Sequence, residues 1–124
     1  MSQAVSLVLP AAAEYVVVAR LTASGIGSRS LPSMADLEDL KLAVAEACNL
    51  LIGLEAASLA LKFDPLEDGL AVMVVGEGCK QEVPSADSEE GLPLMLMEAV
   101  VDELAVQSAA GRVELRLALR RSGQ

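Results

Sequence analysis

A long helical pattern over residues 34–52 constrains the fold of this chain more than any other part of its sequence. Apolar residues recur there at the three- and four-residue spacing that places side chains on one face of an α-helix. Ser33 or Asp36 is suited to cap its start, and Gly53 is suited to end it. A helix with one apolar face needs a second layer of structure against which to bury that face. The stripe consists of Leu37, Leu40, Val44, Cys48 and Leu51.

Segments with strand patterns supply the second layer. Residues 113–119 alternate between apolar and polar side chains, which is typical of an antiparallel strand with one buried face. Residues 70–75 are almost wholly apolar and predict a central strand. Residues 58–63 predict its hairpin partner, because the intervening segment ends in Asp68-Gly69, a favoured turn dipeptide.

Three further segments complete the predicted order. Residues 5–9 predict a short strand, residues 12 to about 29 a helix, and residues 92 to about 105 a third helix. The resulting order predicts an α/β (α+β) two-layer sandwich, in which about three helices cover one face of a mixed, mostly antiparallel sheet. The length of 124 residues predicts a single domain over residues 1–124. The stripe of the third helix is Leu94, Met97, Val101 and Leu104.

Composition excludes several functions. The chain has no histidine, which excludes a His-based catalytic triad and a His-ligated zinc site. Its net charge of −9 argues against direct nucleic-acid binding, because a phosphate backbone attracts basic surfaces. With no apolar span and no signal-peptide pattern, we expect a cytoplasmic domain without membrane contact, with Cys48 and Cys79 as reduced thiols. The mean hydropathy of +0.48 predicts apolar surface reserved for a partner or a second copy.

Residues Asp39–Asn49 (DLKLAVAEACN) resemble the helix that carries the asparagine box of the GHKL, or histidine-kinase-like, ATPase superfamily. Within it, they resemble the bacterial anti-sigma regulatory factor and serine-protein kinase family. Residues 14–25 resemble the family's first helix, residues 64–78 its hairpin and first glycine box, and residues 91–104 its second glycine box and last helix. The resemblance covers about residues 5–119 and implies the histidine-kinase-like ATPase fold.

The nucleotide site implied by this resemblance departs from the family pattern on the second helix. The family uses Glu-x-x-x-Asn, in which the Glu activates the attacking hydroxyl or water and the Asn binds Mg²⁺. Glu46 matches the Glu and is the candidate catalytic residue, whereas Leu50 stands at the Asn position. Asn49, the candidate Mg²⁺ and nucleotide ligand, lies one residue earlier, about 100° around the helix. The alternative is that Glu46 and Asn49 are solvated helix side chains.

The first glycine box departs from the pattern as well. Gly76 stands where the family has the aspartate that accepts a hydrogen bond from adenine. Glu77 is adjacent, but on a strand it points to the opposite side. Gly76 and Gly78 are candidates for a nucleotide-facing turn. The alternative is that they are turn glycines that end a strand.

The second glycine box and the ATP lid show a third departure. Gly91 is the candidate phosphate-binding glycine, but Pro93 removes one of the amide donors that the family offers to the phosphates. The lid is shortened to about residues 79–90 and carries four acidic residues against Lys80. Such a loop repels a nucleotide triphosphate.

Three departures in one site predict that ATP binding and kinase activity are lost or very weak. We expect no cofactor, with ATP and Mg²⁺ only if the family activity survives. The resemblance implies a role in transcription regulation and the stress response, in which the domain binds a sigma factor, a STAS-type anti-anti-sigma antagonist, or both. Arg20 on the first helix is the candidate partner-binding residue, and the alternative is a surface arginine whose stem covers apolar neighbours.

The high apolar content also predicts a homodimer, through the helical surface or a sheet edge. Two other functions stay open at this point. One is an active Mg-ATP-dependent serine/threonine kinase that phosphorylates an anti-anti-sigma factor. The other is a structural subunit that only dimerises.

Overall fold

The computed structural model describes residues 3–122, and the predicted two-layer sandwich is confirmed. Three α-helices cover one face of a five-stranded sheet. The strands are β1 (Val5–Pro10), β2 (Ser58–Leu66), β3 (Gly69–Glu77), β4 (Glu103–Ala109) and β5 (Arg112–Arg120). The helices are α1 (Val16–Ser30), α2 (Met34–Gly53) and α3 (Leu92–Val100), with a 3₁₀ turn at Ala13–Tyr15 before α1.

The strands lie in the order β1-β2-β3-β5-β4, and every pairing among them is antiparallel, so the sheet has no parallel part. β2 and β3 form the predicted hairpin, with a two-residue turn at Glu67-Asp68. β4 and β5 form a second hairpin, in which Ala110 and Gly111 have φ angles of 52° and 81°. Positive φ at both central residues is the mark of a type I′ turn, which matches the natural twist of a hairpin.

The fourth strand corrects the predicted third helix. The prediction extended that helix to about residue 105, whereas α3 ends at Val100 and Val101 is extended, with φ −105° and ψ 158°. The N–H of Asp102 donates to the carbonyl of Ala118 at 2.9 Å, and its carboxylate accepts the N–H of Arg120 at 2.7 Å. The predicted helix was therefore wrong beyond residue 100, because pairing with β5 satisfies these backbone groups in an extended conformation.

Aliphatic side chains form the core between the sheet and the helices, and Phe63 is the one aromatic residue in it among the described residues. Ala19, Ala23 and Gly27 are buried at a spacing of four along α1. A Cβ on Gly27 would overlap the Leu40 side chain, so this small stripe allows α1 to approach α2 closely. This packing fixes the position of α2, whose C-terminal end forms one wall of the candidate site.

Both cysteines are free thiols. Cys48 is fully buried on the core side of α2, and this burial raises the pKa of its thiol to about 12. Cys79, just after β3, is half-buried, and desolvation raises the pKa of its thiol as well. Neither thiol has the depressed pKa that marks a nucleophilic cysteine.

Candidate functional site

A cavity of about 490 Å³ lies where the end of α2, the connecting segment 78–91 and the first turn of α3 meet. We call this cavity the α2–α3 pocket. Its volume lies within the usual range for small-ligand sites. The residues that line it are Asn49, Leu50, Gly53, Leu54, Glu55, Gln81, Glu82, Pro84, Glu90 and Pro93.

Helix α2 brings Asn49 and Leu50 to the pocket but leaves Glu46 outside its lining. The N-terminal end of α2 is capped by Ser33, whose hydroxyl accepts the N–H of Asp36 at 3.3 Å. Near its other end Asn49 is exposed, whereas Leu50 is only 3% exposed and forms an apolar wall. The structure therefore does not bring the predicted base and the predicted metal ligand together in this cavity.

Gly76 lies near the end of β3 and Gly78 directly follows the strand, and neither lines the pocket. Gly76 is buried, and a Cβ added to it would lie 3.1–3.2 Å from side-chain atoms of Leu51, Ala56 and Cys79. An aspartate at this position would require those neighbours to move. Gly78 is exposed and has a φ of 69°, which favours glycine, so its role as a turn glycine is sufficient to explain it.

Glu77, between the two glycines, is bound on the sheet. Its carboxylate accepts a hydrogen bond from the guanidinium of Arg112 at 2.7 Å, and its carbonyl accepts the N–H of Ala57 at 2.7 Å. Both contacts hold Glu77 at the end of the strand. It is not among the residues that line the α2–α3 pocket, so it does not take the place of the missing aspartate there.

The backbone amides at the start of α3 are used within the chain. Pro93 has no N–H, and the N–H groups around it donate to nearby oxygens instead of facing the pocket free. A phosphate group would have to break these bonds to use the same donors. The bonds run from Gly91 to the carbonyl and hydroxyl oxygens of Ser88 (3.1 Å each), from Leu92 to Glu89 (3.2 Å) and from Leu94 to Gly91 (2.9 Å).

Gly91 is required at its position by close packing. Its φ is −89°, which any residue adopts, but a Cβ would overlap the carbonyl of Ser85. That carbonyl also accepts hydrogen bonds from the N–H and the hydroxyl of Ser88, at 3.0 and 2.7 Å. The segment before α3 is thus folded back on Gly91.

The charges around the pocket are negative. Glu55, Glu82 and Glu90 line it, and its lining, as far as residues 3–122 define it, contains no lysine or arginine. The last turn of α2 carries no basic residue, so nothing there balances the negative end of the helix dipole. An anionic ligand would meet unfavourable electrostatics on entering this space.

ATP does not fit these residues. The triphosphate would find no cationic side chain in the described pocket lining, and the amides at the start of α3 are bonded within the chain. The adenine-binding position implied by the resemblance is an enclosed glycine. Among the described residues no three cysteine, aspartate or glutamate side chains are grouped so that they could hold a metal ion.

Arg20 lies on a different surface, the outer face of α1. It is exposed between Val17 and Leu21, which are 52% and 68% exposed. Residues three and four apart are neighbours on a helix, so Arg20 and the two apolar side chains form one patch. We call these three residues the α1 patch.

Sequence reasoning missed Glu55, Gln81 and Pro84. Glu55 has a φ of 61°, in the left-handed region, and its carboxylate accepts a hydrogen bond from the Gln81 amide at 2.9 Å. The N–H groups of Lys80 and Gln81 also donate to the carbonyl of Leu54, at 2.9 and 3.2 Å. Local pattern gave no signal for these contacts, because the Glu55–Gln81 pair is separated by 26 positions.

None of the helices within residues 3–122 combines the length and the apolar character needed to cross a membrane.

A family model described as "Histidine kinase-like ATPase domain" matches residues 9–119. One relative is the serine-protein kinase RsbW of Bacillus velezensis, 37% identical over 127 aligned positions, which cover 86% of this chain and 79% of the relative. The protein of the same name from Bacillus subtilis strain 168 is 36% identical, with the same coverage.

A solved structure shares the fold. The crystal structure of the RsbU and RsbW domains of Rv1364c from Mycobacterium tuberculosis superposes with a TM-score of 0.71 at 14% sequence identity. The match covers 94% of this chain and 32% of the solved chain, so this chain corresponds to about a third of that protein. At this identity the likeness concerns the fold alone.

Proposed function

The chain belongs to the histidine kinase-like ATPase domain family, and from that premise we propose that it is an anti-sigma-type regulatory domain that works by binding proteins. In this proposal ATP binding and phosphoryl transfer are lost or very weak. Residues 1–124 form one domain, in which residues 79–90 are a shortened lid. Its partner is a sigma factor, a STAS-type anti-anti-sigma protein, or both, which places the domain in the cytoplasm.

The observation that carries the loss of ATP binding is the start of α3. The phosphate-binding turn expected from the resemblance is here a proline followed and preceded by N–H groups that are already bonded. Catalysis of phosphoryl transfer depends almost entirely on positioning and charge stabilisation at the phosphates. A site whose amides at the start of α3 are already bonded, with carboxylates in its lining, provides little of either.

The observation that supports protein binding is the α1 patch. Exposed Val17 and Leu21 flank an arginine, and arginine is enriched at protein interfaces and at their hot spots. The proposed dimer has a separate candidate surface, since the edge strand β1 exposes 72% of Val8. The relatives named RsbW support the regulatory class of the proposal.

Isothermal titration of the protein with ATP and ADP, with and without Mg²⁺, tests the loss of nucleotide binding. We expect no binding heat up to millimolar nucleotide. Binding in the micromolar range that requires Mg²⁺ would overturn this part of the proposal. The RsbW protein of Bacillus subtilis, named a serine-protein kinase, serves as the comparison under the same conditions.

Partner binding is tested on α1 by a pair of charge reversals. Arg20→Glu removes the cation of the α1 patch, and Arg29→Glu makes the same change at another exposed position of that helix. With a sigma factor or STAS protein recovered from the source cells, we expect Arg20→Glu to weaken binding about tenfold or more. Arg29→Glu is expected to change it by less than about twofold. Equal effects of the two variants on binding would show that Arg20 does not contact the partner.

The second candidate is an active kinase, which the printed name of the relatives favours. In that case Glu46 acts as the base and Asn49 as a displaced metal ligand. Incubation with labelled ATP and a STAS protein would then transfer phosphate to a serine of that protein, and Glu46→Gln would abolish the transfer. We expect no transfer above the level of the Glu46→Gln variant.

A further inference from the structure

We propose that the α2–α3 pocket binds a basic segment of another protein, inserting a lysine or arginine side chain that is flanked by apolar residues. This inference goes beyond the proposed function, because it assigns a ligand to a surface distinct from the α1 patch. It does not depend on which sigma factor or antagonist the domain binds.

The charge of the occupant follows from two independent features of the pocket. The carboxylates of Glu55, Glu82 and Glu90 lie on its lining, which contains no basic side chain among the described residues. The C-terminal end of α2, at Gly53, contributes the negative end of a helix dipole without a basic residue in the last turn. Both features favour a cation at the same place.

The apolar part of the occupant follows from the walls of the pocket. Four apolar residues line it: Leu50 and Leu54, which are 3% and 4% exposed, and Pro84 and Pro93. A free inorganic or small organic cation would leave these side chains in contact with water, whereas the apolar neighbours of a basic residue in a protein segment would cover them.

A second copy of this chain does not supply such a segment well. The chain has nine basic residues against 18 acidic ones, so a second copy offers few basic side chains to this pocket. Two of the arginines, Arg112 and Arg120, are held in ion pairs on the sheet with Glu77 and with Asp68 and Glu103. The basic segment is therefore assigned to another protein.

The test measures fluorescence anisotropy of a labelled peptide in which Arg and Leu alternate, with the full chain at physiological salt. At that salt the screening length is about 8 Å, so attraction by distant charges is weak. Two control peptides alternate Arg with Ser and Glu with Leu. We expect the Arg-Leu peptide to bind about tenfold tighter than either control.

Two matched glycine variants locate the binding. A Cβ at Gly53 or at Gly25 meets no atom within 4 Å, and both glycines are exposed, but only Gly53 lines the pocket. Gly53→Lys fills the pocket and adds a positive charge, whereas Gly25→Lys adds the same charge on α1. We expect Gly53→Lys to weaken binding of the Arg-Leu peptide about tenfold or more, and Gly25→Lys by less than about twofold.

A matched pair of double variants tests the carboxylates. Glu82→Gln with Glu90→Gln removes two charges from the pocket rim, and Glu14→Gln with Glu67→Gln removes two exposed charges elsewhere. We expect the pocket pair to weaken binding at least about fivefold more than the distant pair. Equal losses in the two pairs, or no loss in Gly53→Lys, overturn the proposal. Because neither nucleotide nor Arg20 enters these measurements, their failure is distinguishable from failure of the proposed function.

Discussion

The α1 patch and the α2–α3 pocket are opposite kinds of surface on neighbouring helices. The patch leaves Val17 and Leu21 largely exposed around one arginine. The pocket keeps its leucines buried, bonds the amides at its edge within the chain and displays carboxylates. The difference teaches that one fold can present an exposed apolar patch with an arginine on one helix and an acidic pocket with bonded edge amides beside the next.

The bonded amides of α3 and the buried leucine of α2 each have a physical cause. A buried donor that lacks a ligand must find another acceptor, or it costs about 1–3 kcal/mol. At the start of α3 the acceptors are supplied by Ser88 and Glu89, from the shortened connection. On α2 the side chain at the asparagine position is a leucine, which is more stable against the core than against water. Each change allows the α2–α3 pocket to be stable without a bound nucleotide.

Among the variants that test this difference between patch and pocket, we expect the largest effect on stability from Leu50→Asn. This variant places the family's asparagine in the pocket. Because Leu50 is 3% exposed, we expect a loss of about 3 kcal/mol in the free energy of unfolding, measured with denaturant, and no gain of ATP binding by calorimetry. The matched change Leu21→Asn, at a position 68% exposed, is expected to change stability by no more than about 0.5 kcal/mol. Micromolar ATP binding by Leu50→Asn would show that the α2–α3 pocket is open to nucleotide after all.

Gly91→Ala is expected to cause the next largest loss in the free energy of unfolding. Its Cβ would overlap the Ser85 carbonyl, so the fold-back of the segment before α3 must open, at a cost of about 2 kcal/mol. Gly53→Ala, on the other side of the same pocket, meets nothing within 4 Å and is expected to leave stability unchanged or raise it by up to about 1 kcal/mol. Thermal or denaturant unfolding of the two variants checks this. Equal costs would mean that the fold-back is not tightly packed.

A pH experiment tests the burial of Cys48 on the core side of α2. Burial raises the pKa of Cys48 to about 12 from 9.0, so the folded protein holds this proton more tightly than the unfolded chain. Stability from this group is complete below pH 9.0 and falls as pH rises toward 12. One pH unit above the unfolded pKa, we expect wild type to have lost about 1.4 kcal/mol more than Cys48→Ala. Parallel stability curves for the two proteins would show that Cys48 is accessible to water.

The smallest effect on stability is expected at Ala110, in the β4–β5 turn. The other central residue of this turn is Gly111, whose carbonyl accepts the N–H of Cys79 at 2.8 Å. Ala110 has a φ of 52°, which Asn adopts at lower cost. Ala110→Asn is expected to raise the free energy of unfolding by about 0.5–1 kcal/mol without changing peptide binding at the pocket. Ala110→Val, which is β-branched, should lower it. A gain with Val would mean that the turn does not hold a left-handed residue.

The elements with a strong local period could be predicted from the sequence. Helix α2 and the β2–β3 hairpin lie where the apolar spacing predicts them, although the hairpin turn is at Glu67-Asp68, one residue before the predicted Asp68-Gly69 dipeptide. Strand β4 could not be predicted, because Val101 and Leu104 continue a helical spacing from Leu94 and the segment is extended only through its bonds to β5. Local pattern does not record which distant strand is available for pairing.

For the site, the family motifs in the sequence already identify a leucine at the asparagine position, a glycine at the aspartate position and a proline in the phosphate turn. Their consequence for ATP stays a prediction. Only the tertiary structure decided that Glu46 lies outside the pocket lining and that Gly76 is enclosed by Leu51, Ala56 and Cys79. The same holds for the amides at the start of α3, which are already bonded within the chain. Residue identity fixes which groups a chain can offer, whereas enclosure and hydrogen-bond partners depend on segments brought together across long sequence separations.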